Sequence, residues 1–196
     1  NKRQPWLPLG TPDKWDQGMV ASSSAIIEVG DELFFYYGGC SCHHDYWIWG
    51  PREGLDHPEV TDPDLIRFGL GLARLRKDGF VSFDAGSVRE GMMVTRPFSS
   101  EGESLIINAK CGGNGYIKIE VLDQYDEIIE GRSKEACDVF TADSTAHNVT
   151  WNGDGSLPVV PMSGGGDTIY PWKSQPQFRK LRFFMKDAEL YSFCMK

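Results

Sequence analysis

Helical periodicity is nearly absent from this chain. Apolar residues instead recur with period two, in runs cut by Gly, Asp and Asn. Ile26-Ile27-Glu28-Val29 and Leu33-Phe34-Phe35-Tyr36-Tyr37 flank Gly30-Asp31, which predicts a β-hairpin. The second of these strands is aromatic and ends in Gly38-Gly39. Phe68 to Leu75 alternates better as a strand than Leu65 to Arg76 does as a short helix. Arg76-Lys77-Asp78-Gly79 is a turn, and Phe80 to Gly86 reads as its return strand, making a second hairpin. After Gly86 the predicted strands shorten: 91–97, 104–109, 116–122, 147–151, 181–184 and 188–195. Ile117, Ile119 and Val121 share one face. Turn signals recur at Gly112-Gly113-Asn114-Gly115, Asp143-Ser144, Asn152-Gly153-Asp154-Gly155 and Gly164-Gly165-Gly166-Asp167. Short strands so spaced predict an all-β fold, an antiparallel β-sandwich (jelly-roll-like) preceded by hairpins. The expected organisation is 1–88 for the hairpins, with a long 40–66 loop, and 89–196 for the sandwich. A single sandwich of the whole chain, with the hairpins adding strands to it, fits the pattern as well.

Composition narrows the partners. A formal net charge of -8 argues against nucleic acid or an anionic membrane surface and suits a neutral ligand. Arg179, Lys180 and Arg182 form the one dense basic cluster, read as a solvated strand face. No apolar run approaches the roughly 20 residues of a membrane span. The chain starts at Asn1 in polar, Pro-rich sequence, which suggests a fragment or a processed form. Five cysteines leave at least one unpaired within the chain. Cys40-Ser41-Cys42 is too tight for a zinc knuckle, whereas Cys111 and Cys137 are candidates for a bridge if their strands are neighbours. Asn148-Val149-Thr150 is an N-glycosylation sequon, so the expected setting is extracellular and the protein a glycoprotein.

Candidate chemistry gathers in Cys40-Ser41-Cys42-His43-His44-Asp45-Tyr46-Trp47-Ile48-Trp49-Gly50-Pro51-Arg52. Aromatic faces stack on the C–H face of a sugar ring, while carboxylate, guanidinium and imidazole groups bind its hydroxyls. Trp47 and Trp49 share a face if the segment is extended, and are read either as sugar platforms or as core anchors of the loop. Trp15 and Asp16 divide the same way, between ligand contact and a Trp packed over the hairpin with an Asp capping its own turn. The expected substrate-binding set is Trp15, Asp16, His43, His44, Asp45, Trp47, Trp49 and Arg52. Adjacent histidines on a strand point to opposite faces, so His43 and His44 suit a shared metal poorly. The acidic loops Asp62-Pro63-Asp64 and Asn152 to Gly155 carry oxygen donors suited to a structural calcium, without the full calcium-loop pattern. Gly69 and Gly71 lack the third glycine and the following helix of a nucleotide loop. Glycoside hydrolysis needs two carboxylates, and nothing in the spacing of Asp16, Asp45, Glu53 and Asp56 selects a pair.

The Trp15-Asp16-Gln17-Gly18 loop, the aromatic hairpin ending in Tyr36-Tyr37-Gly38-Gly39 and the run from Gly71 to Phe80 together resemble a blade of the five-bladed glycoside hydrolase propellers, the invertase-, levansucrase- and arabinanase-like enzymes. The ending from Asp187 to Phe193 resembles the terminal strand of the sandwich module that follows such a propeller. The resemblance implies propeller-blade-like hairpins, Asp16 near a substrate funnel, and a poly- or oligosaccharide as partner. It departs from the family in lacking Asn-Asp-Pro-Asn-Gly, Arg-Asp-Pro and a Glu-Cys followed by Pro, so catalysis would need N-terminal blades absent from this sequence. The expected function is sugar binding by a module of such a protein. The alternative is a structural subunit of an extracellular polymer, which self-associates through its hairpins.

Overall fold

A computed structural model describes residues 5–45, 62–99, 103–157 and 178–196. The chain is all-β: the described residues form ten strands in two antiparallel sheets, with neither sheet closed into a barrel. It divides into two compact units, 1–80 and 81–196.

The first unit carries β1 (Met19–Ser22), β2 (Ile27–Val29), β3 (Glu32–Cys40) and β4 (Phe68–Arg76). The Gly30-Asp31 hairpin forms as the sequence predicts: Val29 pairs with Glu32, and Gly30 takes a positive φ of 61°. β1 and β2 lie along one edge of β3, and β4 lies along the other. One face of this sheet holds Leu33, Phe35, Tyr37, Gly39, Gly69 and Gly71. Trp6 packs on Phe35 at 4.6 Å between ring centroids, with Phe80 against both. Trp15 stacks on Tyr37 at 5.7 Å. The glycines make this possible. A Cβ at Gly39 or Gly69 would meet the Trp15 ring at 2.4 or 2.7 Å, and one at Gly71 would meet the Tyr37 ring at 2.3 Å. The Gly-Leu-Gly run is thus a seat for aromatic rings. The opposite face stays largely bare, with Tyr36, Phe68, Leu70 and Leu72 exposed.

The excursion between β3 and β4 is clamped at its neck. Ser41 N–H donates to the Arg67 carbonyl and Arg67 N–H donates to Ser41 Oγ, both at 3.0 Å. A 3-10 turn, Pro63–Leu65, follows Asp62, whose Oδ1 accepts from Asp64 N–H.

The turn after β4 forms as expected, but its return strand does not come back to β4. β5 (Phe83–Ala85) pairs with Ala188–Leu190 of the last strand, because Ala85 packs against the core of the second unit. That unit also holds β6 (Gly91–Val94), β7 (Phe98–Ser99), β8 (Leu105–Asp123), β9 (Asp143–Asn148) and β10 (Phe178–Met195). The strands expected separately at 104–109 and 116–122 are one strand, β8, and those at 181–184 and 188–195 are one strand, β10. β5, β6 and β7 line one side of β10, β8 the other, and β9 pairs with β8.

This single sheet makes a sandwich by folding over. Phe183 and Phe193 lie on the same strand, where ten extended residues would span about 33 Å. Their ring centroids are 5.6 Å apart. The bend falls where Gly112 to Gly115 of β8 stand opposite the single Asp187 of β10, which takes a φ of 46°. A second irregularity shifts the register between Leu190 and Ser192. Each bulge flips the inward parity, so Leu181, Phe183 and Met185, then Ala188 and Leu190, then Phe193 and Met195 all face one core. Ile129, Phe140, Val149, Trp151 and Leu157 complete that core. Trp151 Nε1 donates to the Ile119 carbonyl at 2.9 Å, and the Arg132 guanidinium sits 5.3 Å over its ring.

Two local expectations change. Cys111 and Cys137 are not bridged. The Cys111 thiol donates to the Phe140 carbonyl, and the Cys137 sulfur accepts from Ile119 N–H, so each is used on a different stretch of β8. The basic cluster is not a uniformly solvated face. Arg179 shares the inward parity of Leu181 and is buried, while Lys180 and Arg182 pair with Asp126 and Glu120 at 2.8 and 2.9 Å.

Candidate functional site

The loop from Gly10 to Gly18 is closed by its own backbone. Gly10 N–H donates to the Asp16 carbonyl, Lys14 N–H to that of Thr11, and Gln17 N–H to that of Lys14. Gln17 then ties the loop to the neck of the excursion, since its Nε2 donates to the Ser41 carbonyl at 3.2 Å. Gly18 N–H donates to the Cys40 carbonyl, and Gly18 lies so close to the Cys42 backbone that a Cβ would stand 2.2 Å from it. Arg67 adds a donor to the Asp13 carbonyl at 2.9 Å. The result joins Trp15 and Asp16 to the segment that leads into His43, His44 and Asp45.

The expected binding residues fare differently within this cluster. Trp15 is half-buried, with one face on Tyr37 and the glycines. Asp16 Oδ2 accepts from the Tyr37 hydroxyl at 3.1 Å, and its Oδ1 lies over Gly10, where a Cβ would be 2.0 Å away. Burial, and then the hydrogen bond to Asp16, hold the Tyr37 phenol above its ordinary pKa. Trp15 and Asp16 therefore act on each other's surroundings within the sheet. His43 Nδ1 accepts from Asp45 N–H at 3.2 Å, which leaves Nε2 to carry the proton in the neutral ring. The exposed pair His44 and Asp45 meet at 2.9 Å, Nδ1 to Oδ1. Trp47, Trp49 and Arg52 lie outside the described residues.

A second concave feature escaped the sequence reading. A cavity of about 180 Å³ lies at the bend of the folded sheet, lined by Asp84, Lys110, Gly112, Asp187 and Glu189 among others. Its residues come from three strands far apart in sequence; the glycine run opposite Asp187 is the one local signal that marks the spot. Glu189 accepts from the Tyr191 hydroxyl, and Asp84 from Ser82 Oγ at 2.5 Å. Next to it, burial first and then the charges of Asp187 and Asp143 push the Cys111 thiol up to about 11, which favours the protonated thiol at neutral pH.

Among the described residues no three His, Cys, Asp or Glu side chains gather as a metal-binding set. Asp154, offered above as a calcium donor, uses its carboxylate on Arg132 at 2.5 Å and on Ser156 N–H at 2.9 Å. No described helix is long and apolar enough to cross a membrane.

No protein-family model, no curated protein and no solved structure matches this chain.

Proposed function

We propose that the chain is a carbohydrate-binding portion of an extracellular glycoside hydrolase-like protein. One observation carries this reading: a Trp-Asp loop is tied by hydrogen bonds to the neck of an excursion that bears His43, His44 and Asp45 and continues toward Trp47, Trp49 and Arg52. Hydroxyl-binding side chains are thereby brought to one end of the first sheet, and the sequence carries ring-stacking candidates onward from there. The exposed His44–Asp45 pair offers an acceptor and an imidazole to sugar hydroxyls, and the indole rings beyond it would take the C–H faces. The acidic net charge suits a neutral glycan. Asp16 supports the loop through Tyr37, and its own contact with ligand would require that hydrogen bond to open.

The test is retention of the intact chain on a panel of neutral polysaccharides, followed by calorimetry on any that bind. Asp45→Ala and Trp49→Ala are each expected to weaken binding by roughly 5- to 150-fold, on the order of 1–3 kcal/mol, with unchanged circular dichroism. A folded wild-type chain retained by no glycan overturns the reading.

A further inference from the structure

Edges of β-sheets are where chains meet, and most edges of this protein are blunted. β1 and β2 are broken between Ser22 and Ile27. β5, β6 and β7 are pieces of three, four and two residues, with Pro97 just before the last. β9 is six residues long and begins on an exposed Asp143. β4 differs. It runs nine residues, pairs with β3 without a register shift, and among the described residues has no strand on its other side. It holds no Pro, no Lys and no bulge, and its charges are confined to Arg74 and Arg76 at one end. Its outward alternation starts apolar, with Phe68 74%, Leu70 88% and Leu72 42% exposed, and ends on Arg74 and Arg76.

We propose that β4 pairs antiparallel with β4 of a second copy of this chain, about a two-fold axis through Leu72. The sequence Phe68-Gly69-Leu70-Gly71-Leu72-Ala73-Arg74-Leu75-Arg76 is complementary to its own reverse in this register. Leu72 meets Leu72, Leu70 meets Arg74 and Phe68 meets Arg76. No like charges stand opposite, and an apolar centre is flanked by guanidinium groups over an aromatic ring and an aliphatic side chain. The first sheet already uses that contact once, with Arg74 5.4 Å over the Phe34 ring while pairing with Glu32. A shift by one residue would set the Gly69, Gly71, Ala73 and Leu75 side against the exposed face, and of the registers that keep the faces matched the one centred on Leu72 pairs all nine residues of the strand. The contact is isologous, which closes the assembly at two copies. It does not depend on carbohydrate binding.

Light scattering with size exclusion across a concentration series of the intact chain tests this. The wild type should move from the mass of one chain to that of two as concentration rises. Leu72→Lys, which sets two ammonium groups face to face at an exposed position, should hold it at one chain with unchanged circular dichroism. A wild-type chain that stays single up to its solubility limit overturns the proposal, and so does a dimer that Leu72→Lys leaves intact. If that variant does not fold, Leu72→Cys with Cys194→Ser gives a second test. Cβ atoms directly opposite lie about 4.5–5.5 Å apart, wider than a disulfide takes but within reach of a short bifunctional thiol cross-linker. A cross-linked dimer supports the register, and its absence refutes it.

Discussion

Gly115→Ala should damage the second unit far more than Gly113→Ala, although the two glycines stand two residues apart in the same bend. A Cβ on Gly115 would lie 2.1 Å from the Asp187 carbonyl oxygen and 2.8 Å from the Gly112 nitrogen. Both obstacles are backbone, and both belong to the bulge that turns the sheet over, so no side chain can swing aside. Overpacking typically costs about 1–3 kcal/mol and more when the main chain must move, so at least about 3 kcal/mol is expected. That is a large share of the roughly 5–15 kcal/mol that holds a domain together. A Cβ on Gly113 meets nothing within 4 Å, and its φ lies outside the left-handed region. Alanine there should be neutral or stabilising by about 0.4–1 kcal/mol, through the unfolded chain. Urea denaturation followed by far-ultraviolet circular dichroism and tryptophan fluorescence gives both values, with the two units fitted as separate transitions. If Gly115→Ala unfolds within about 0.5 kcal/mol of Gly113→Ala, the close approach at the bend is wrong, and with it the account of how one sheet becomes a sandwich.

The same titrations examine Trp151. Trp151→Phe leaves the buried Ile119 carbonyl without its donor and should cost about 1–3 kcal/mol, while Trp151→Ala adds a cavity for a total near 3–5 kcal/mol. Burial lowers the His147 pKa from its ordinary 6.5. The unfolded chain therefore takes up a proton that the folded chain resists, stability falls as pH drops through 6.5, and His147→Gln should flatten that part of a stability-against-pH curve. Asp154 has the opposite sign of charge. Ser156 N–H first, then the Ser156 hydroxyl and Arg132, hold its carboxyl at about 2 against an ordinary 3.8. Its contribution is full above 3.8 and is lost as pH falls toward 2, so Asp154→Asn should remove that acid limb. Thiol labelling of the native chain should modify the exposed Cys194 well before the buried Cys137; equal rates would contradict the packing of the second unit.

The local patterns that proved legible are those decided within a few residues. The Gly30-Asp31 hairpin and the strand character of Phe68 to Leu75 depend on a turn residue and on alternation, both written in the chain. What alternation cannot show is partner choice. Phe80 to Gly86 looks like the return of a hairpin, yet Phe83–Ala85 joins β10, about a hundred residues on, where Ala85 packs against a core assembled from elsewhere. Continuity was hidden for a related reason. Gly112 to Gly115 has the composition of a turn, and the parity of β10 breaks at Lys186 and Ala188. Either would end a flat strand, but a strand that bends must carry such breaks to keep Leu181, Phe183, Ala188 and Leu190 on one side.

The site divides along the same line. The resemblance to a propeller blade marks Trp15 and Asp16 as candidates, and a Trp-Asp loop beside aromatic strands can serve a ligand or the sheet. What favours the sheet is Gly39, Gly69 and Gly71, three positions whose missing side chains matter only once β3 and β4 are paired in register. In that register the glycines form a shallow trough, and Trp15 and Tyr37 fill it. Their indole and phenol faces are committed to backbone before any ligand arrives, and Asp16 is committed to Tyr37. His44 and Asp45 pair with each other at 2.9 Å, so under the carbohydrate-binding proposal Asp45 is the described residue of this end on which a ligand contact is expected. Trp15→Ala should then lower the stability of the first unit and alter glycan affinity only as far as it unfolds the loop, whereas Asp45→Ala should do the reverse. A Trp15→Ala chain that stays fully folded yet loses all glycan affinity would reverse that division of labour.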